Sequence, residues 1–329
     1  MQKNFIDRRQ FLKASILASI VTALPSIAIA AKNDFPNKPI KLIVPFGAGG
    51  PTDTHLRMLA QHASALLGQS IIIENKPGAN GIFGASELAR AKPDGYTIAV
   101  LPAAVYREPH INKVPFDPLT LTYIIGLSDY MFGLAVKQDS PWQNFNEFLN
   151  DVKMRPHKIS IGAAGPIQTP SLVLNELIQL LKIDVTPIPY KGDGELALSI
   201  LGGHVDAGIL SGVATTHIQA GNMRYLSMLT PERIPQFPDI LTLREQDIDI
   251  IVESPYGIAG PKELPESLVM ILHDAFKAAL ESPEGRETLA RLNQPLNYRN
   301  PEEYKEFAQQ AYAKERIRME QFGESSASN

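Results

Sequence analysis

From residue 40 onward, short apolar runs alternate with longer stretches whose apolar residues recur three and four apart, the signature of strands interleaved with amphipathic helices. Residues 41–44 (Lys-Leu-Ile-Val) predict a buried strand, and 54–67 a helix with Leu56, Leu59, Ala63 and Leu66 on one face. A strand at 70–74, a helix at 84–91 and a strand at 96–101 follow. Strand, helix and strand in repetition predict a parallel, doubly wound sheet. The pattern restarts mid-chain, with strands at 133–136, 158–161, 185–189 and 205–210 separated by helices at 146–152, 171–181 and 195–201. Long helices are expected at 267–281 and from 301 to about 322. The chain is expected to cross between two α/β domains near 126–133 and again near 251–257. Domain 1 is then residues 31–131 plus 256–329, and domain 2 is 132–255.

The first thirty residues break this pattern. Asp7-Arg8-Arg9-Gln10-Phe11-Leu12-Lys13 precedes an apolar stretch from Ala14 to Ile29 and the small residues Ala28-Ile29-Ala30. Basic region, apolar core and small-residue end are the layout of an export signal, here of twin-arginine type with Asp7 where Ser or Thr is usual. The stretch is broken by Ser15, Ser19, Thr22 and Pro25 and is shorter than the roughly 20 residues that span a bilayer. Residues 1–30 are therefore read as a signal cleaved near Ala30, and the mature chain as periplasmic.

Removing that segment changes the charge. The whole chain of 329 residues carries a formal −4. Setting aside Lys3, Arg8, Arg9, Lys13 and Asp7 leaves 27 basic and 34 acidic residues, a net −7. So acidic a chain, without a Lys/Arg run, argues against nucleic acid as a partner. Zero cysteines exclude thiol catalysis, disulfides and thiolate metal sites.

Candidate chemistry lies in loops that follow strands. Residues 44–53 (Val-Pro-Phe-Gly-Ala-Gly-Gly-Pro-Thr-Asp) turn from a strand into a helix, with Thr52 or Asp53 placed to cap it. Glycines allow close backbone approach, and free amides at a helix start favour an anion. The spacing fits neither the dinucleotide fingerprint nor a P-loop. A second glycine-rich turn at 75–84 sits at the same sheet edge, where ligands bind in such sheets. In the central domain, 162–171 (Gly-Ala-Ala-Gly-Pro-Ile-Gln-Thr-Pro-Ser) again joins strand to helix, with Thr169 or Ser171 able to cap. Tyr190 and Lys191 open the loop Tyr-Lys-Gly-Asp-Gly at 190–194. Tyr190 can stack on or hydrogen-bond a ligand; Lys191 reads either as a ligand contact or as a solvated loop lysine.

These loops together resemble the substrate-binding proteins of tripartite tricarboxylate transporters, the TctC or Bug family. The resemblance rests on Val-Pro-Phe-x-Ala-Gly-Gly-x-Thr-Asp at 44–53, Glu-Asn-Lys-Pro-Gly-Ala-Asn-Gly at 74–81, Lys-Pro-Asp-Gly-Tyr-Thr at 92–97, Pro-Tyr-Lys-Gly at 189–192 and Leu-Gly-Gly-His-Val-Asp at 201–206. Gly221 to Leu226 and Phe237 to Ile240 continue it. It implies two doubly wound α/β domains with a central ligand cleft, periplasmic-binding-protein-like of type II. It implies closure over a small organic acid, delivery to membrane permease subunits, a monomer and no cofactor. The family's first carboxylate loop falls on Phe46, Ala48, Gly49, Gly50, Thr52 and Asp53, its second on Asn80 and Gly81, and its central-domain contacts on Thr169, Tyr190, Lys191 and Ser211. Amide dipoles there are expected to hold the anion without a buried arginine, so a valine at Gly49 is expected to block the approach.

Two stretches depart from the family pattern. Gln168 precedes Thr169, with Leu172 near a usual histidine, and Ala207 to Ser211 lacks the aspartate of many members. Both bear on which acid is bound, and apolar Leu172, Ile209 and Leu210 argue against a ligand with an ammonium group. Enzyme signatures are missing: there is no Gly-x-Ser-x-Gly elbow and no His-Glu-x-x-His. His55 and His62 share a helix face but stand two turns apart, too far to hold one metal ion without further ligands, and His204 reads as a loop residue. Trp142, the only tryptophan, is expected to anchor a helix start and to report closure by its fluorescence. The alternatives to a transport protein are a periplasmic ligand sensor feeding a two-component system and a secreted α/β enzyme.

Overall fold

The computed structural model describes residues 35–78, 81–165, 167–250 and 252–326. The expected export signal at 1–30 lies outside them.

Strand β1 (Ile40–Val44) has Ile40, Leu42, Ile43 and Val44 fully buried, as a strand covered on both faces must be. Helix α1 (Pro51–Leu67) leads to β2 (Ile71–Asn75), and α2 (Ile82–Arg90) leads to β3 (Thr97–Leu101); β2 and β3 flank β1 in parallel. The expected face of α1 is buried at Leu56, Leu59 and Ala63, but Leu66 is 62% exposed because the last turn runs past its cover. A single turn, α3 (Ala104–Arg107), precedes β4 (Thr122–Asp129).

The chain then enters a second sheet. Its elements are β5 (Gly133–Lys137), α4 (Phe145–Met154), β6 (Ser160–Ala164), α5 (Thr169–Leu181), β7 (Thr186–Tyr190), α6 (Asp193–Leu201), β8 (Ala207–Leu210), α7 (Val213–Gln219) and β9 (Met223–Met228). Strand order is β7-β6-β8-β5-β9. Its core holds Phe132, Trp142, Phe145 and Phe148, with Trp142 and Phe148 edge to face at 5.1 Å. Trp142 donates its indole N–H to Asp151 Oδ2 at 2.8 Å while Asn144 caps α4 through the amide of Glu147. The cap that fixes the helix start is Asn144, while Trp142, expected there, ties to Asp151 in the second half of α4.

The return brings β10 (Pro255–Gly260), α8 (Glu266–Glu281), α9 (Pro283–Leu292), β11 (Leu296–Arg299) and α10 (Pro301–Ser326) back to the first sheet, ordered β11-β4-β10-β3-β1-β2. Both sheets are mixed rather than all parallel: β10 is antiparallel to β3 and β4, and β5 to β8 and β9. The cause is connectivity, since β10 arrives from the other sheet instead of through a crossover helix.

Two crossings join the sheets, Tyr130 to Phe132 outward and residues 229–254 on return. They lie side by side. Tyr130 donates its amide to Ser254 O at 3.2 Å, and Ser254 donates its amide to Asp129 Oδ1 at 2.6 Å.

Candidate functional site

Between the two sheets lies a cleft of about 570 Å³. Three helices begin at its wall: α1 through Gly50, Pro51 and Thr52, α5 through Gln168, Thr169 and Pro170, and α6 through Gly192, Asp193 and Gly194. No side chain caps α1, whose N-cap is Gly50 rather than the expected Thr52 or Asp53. The first amides of each helix have no partner within the helix, so three positive helix ends converge on one space.

Each lobe's helix start is tied to a crossing. Thr52 Oγ1 is hydrogen-bonded to the hydroxyl of Tyr130 on the outward crossing, and Thr169 Oγ1 lies 3.1 Å from Ser254 Oγ on the return. Tyr130 also packs at 6.2 Å on Phe46 and at 4.9 Å on Tyr256. One aromatic wall therefore connects the glycine loop to both crossings.

Of the residues expected to meet ligand, Phe46, Ala48, Gly50, Thr52, Thr169, Lys191 and Ser211 line the cleft. Asn80 lies outside the described residues. Four others stand behind the wall. Asp53 is turned back on its own loop: Oδ2 accepts the amide of Gly49 and Arg57 Nε, both at 2.8 Å, and Oδ1 accepts Asn75 Nδ2 at 2.8 Å. Burial works against its charge, but these bonds prevail and hold the carboxyl below the ordinary aspartate range. Gly49 adopts φ +82°, and a Cβ there would meet nothing within 4 Å, so a side chain strains the backbone and does not block the cleft sterically. Gly81 supports the wall: a Cβ would fall 2.7 Å from Pro102, which lines the cleft. The ring of Tyr190 lies over Gly162, packed on the sheet.

Further wall residues escaped the sequence reading: Pro102, Ala103 and Ala104 beyond β3, Arg107 on α3, and Tyr130, Phe132 and Ser254 on the crossings. Asp193 was visible only as a member of its glycine loop. Arg107 corrects the expectation of an arginine-free site, for it is 1% exposed. Its charge is engaged, because Nε and Nη2 both donate to the Glu315 carboxylate at 2.7 Å. Burial opposes the charge on Glu315, and the bonds and charge of Arg107 overcome it, keeping that carboxyl below 4.5. Leu172, Ile209 and Leu210 are buried in the second lobe and do not line the cleft, so their bearing on the ligand falls away. Trp142 likewise sits in the core and is no direct reporter of the cleft.

The histidines belong to the scaffold. His55 is fully buried with Nδ1 2.7 Å from the hydroxyl of Tyr256, and His204 is an exposed loop residue. Among the described residues no group of three or more His, Asp or Glu is placed to hold a metal ion.

The model of the tripartite tricarboxylate transporter family receptor matches residues 55–323. The chain belongs to this family. A protein of Cupriavidus necator, described as the UPF0065 protein in the gbd 5′ region, is 38% identical over 322 residues, covering 97% of this chain and 98% of its own. The solved periplasmic binding protein BugD superposes with TM-score 0.79 at 30% identity, over 88% of this chain and 99% of its own. MatC from Rhodopseudomonas palustris, solved with bound malate, superposes with TM-score 0.76 at 28% identity, over 86% and 99%. Receptors of this family are periplasmic solute-binding proteins, and the two mixed α/β layers found here are those of the type II binding-protein fold.

Proposed function

We propose that this receptor captures a small organic carboxylate in the cleft and hands it to the membrane permease subunits of a tripartite tricarboxylate transporter. The observation that carries the reading is the convergence of the α1 and α5 N-termini on one cleft, because amide dipoles attract an anion without a net positive surface. The malate held by MatC supports the same chemistry.

In this reading the backbone of Phe46, Ala48 and Gly50, with Thr52, holds one carboxylate, partly through ordered water. Thr169 and Ser211 face it from the second lobe, and Lys191 at the rim draws anions inward. Asp53, Gly49, Gly81 and Tyr190 act from behind the wall by shaping the loops, and Asn80 is kept as a contact of the second carboxylate loop. The two domains, residues 31–131 plus 256–329 and residues 132–255, close about the paired crossings. The exported monomer works in the periplasm and converts nothing.

A thermal-shift screen of organic acids on the mature chain tests this. A ligand at a hundred times its Kd adds about 2.7 kcal/mol to stability, a clear rise in Tm. Recovery of the compound unchanged is expected; its consumption by the purified chain overturns the reading.

A further inference from the structure

The cleft is chemically lopsided. The α1 side offers amides and Thr52 and no charged side chain, whereas the α6 side presents Asp193. Ser211 holds this carboxylate through its amide, 3.0 Å from Oδ2, and through its hydroxyl. An ionised carboxylate has about four acceptor sites, so acceptor capacity is left on the cleft side.

Among the described residues no cation pairs with Asp193. Burial pushes its carboxyl above the ordinary aspartate range, and only the two Ser211 bonds oppose that. Two cationic side chains share the cleft wall with it. Arg107 is committed to Glu315, and Lys191 is exposed at the rim, where water screens it. Asp193 shares the cleft wall with Tyr130, which is itself bonded to Thr52 at the start of α1. The acid therefore faces the anion-binding helix end across the space a ligand fills.

We propose that Asp193 sets the class of ligand: the cleft selects a carboxylic acid whose far end carries a hydrogen-bond donor, an ammonium group above all, over a diacid of the same length. A second carboxylate there either meets the like charge of an ionised Asp193 or requires that carboxyl to stay protonated, and both oppose its binding. An ammonium meets a counter-ion, and a hydroxyl meets an acceptor. The inference rests on the carboxylate reading above and adds the identity of the other end.

Titration calorimetry at pH 7.5 on the mature chain tests it with two series of fixed length. One is succinate, 4-hydroxybutanoate and 4-aminobutanoate; the other is adipate, 6-hydroxyhexanoate and 6-aminohexanoate. In whichever series binds, the amino acid is expected to bind at least about tenfold tighter than the diacid, which is about 1.4 kcal/mol, with the hydroxy acid between them. Asp193→Asn keeps an acceptor for the Ser211 amide and should erase or reverse the order, and Asp193→Ser provides a second variant. Unliganded melting temperatures confirm that both fold. A diacid preference unchanged in Asp193→Asn overturns the inference, as does a diacid preference lost in Lys191→Met, which assigns the far end to Lys191. Binding of none of the six overturns it too; the carboxylate reading itself falls only if a wider screen with malate and citrate is also blank.

Discussion

Arg107 and Glu315 stand 208 residues apart and meet in a two-toothed ion pair, with both contacts at 2.7 Å. The third arm of the guanidinium donates to Ile167 O at 2.7 Å, in the loop that leads into α5. Glu315 also lies 3.7 Å from Arg318, whose Nε reaches Glu176 on α5 at 2.6 Å. Helix α10 packs on β4 and α3 of the first lobe. One chain of charges thus runs from the first lobe to the second beside the cleft.

Arg107→Ala leaves the buried Glu315 carboxylate with only the longer contact to Arg318, and removal of one partner of a buried pair costs about 3–5 kcal/mol. Urea unfolding should show that loss. Glu315→Gln keeps one hydrogen-bond acceptor but leaves the buried Arg107 cation without its counter-charge, so a loss of the same order is expected. Exposed Glu176 contributes much less, so Glu176→Ala should cost no more than about 1 kcal/mol.

Two buried groups contribute to the pH dependence of stability with opposite signs. Burial pushes Asp129 up to about 7, and Glu253 adds to this while Asn297 and Arg299 oppose it. The folded chain then takes up that proton well before an unfolded aspartate near 3.8, so Asp129 adds stability as pH falls from 7. Burial holds His55 down at about 3 against 6.5, so it removes stability as pH falls below 6.5. Each contributes about 1.4 kcal/mol per pH unit, and the two cancel between roughly pH 4 and 6.5. Two variants separate these contributions from those of the other carboxyls in urea midpoints compared with the wild type. Asp129→Asn should lose stability on acidification, and His55→Asn should gain it.

The same geometry fixes the histidine's tautomer. Tyr256 donates its one hydroxyl hydrogen to Gln294 Oε1 at 3.0 Å, so His55 Nδ1 is the donor to Tyr256. Nitrogen NMR of the folded chain at pH 6 should report a neutral Nδ1–H ring; an imidazolium signal contradicts the assignment.

Gly212, where the chain turns into α7, touches the other lobe. A Cβ there would fall 2.5 Å from Leu292 O at the end of α9. Gly212→Ala should therefore wedge the lobes apart. At the usual overpacking cost of about 1–3 kcal/mol, carboxylate affinity should fall roughly 10- to 100-fold. Small-angle scattering should show a larger radius of gyration, and an unchanged radius and affinity would speak against closure at this contact.

Much of the scaffold could be read from the chain because strands such as β1 and β6 are short apolar runs followed by glycine loops. The strands that escaped are instructive. β10 reads Pro-Tyr-Gly-Ile-Ala-Gly, whose glycines look like turn residues. They are required by packing: a Cβ at Gly257 would sit 2.4 Å from Ile125 O and 2.6 Å from the Tyr304 ring. In the cleft, Phe46, Thr52 and Lys191 were legible because they sit in continuous loops. Arg107, Tyr130 and Ser254 were not, since each joins the wall through a partner far away in sequence: Glu315, Thr52 and Thr169. Local patterns carry no trace of such pairings.

The decisive measurement is a crystal structure of the mature chain grown with the tightest-binding acid from the screen. One molecule is expected between the lobes, its carboxylate on the amides that begin α1 and beside Thr52. A molecule bound instead in the surface groove lined by Lys38, Lys41 and Lys76, with the cleft filled only by water, would contradict it.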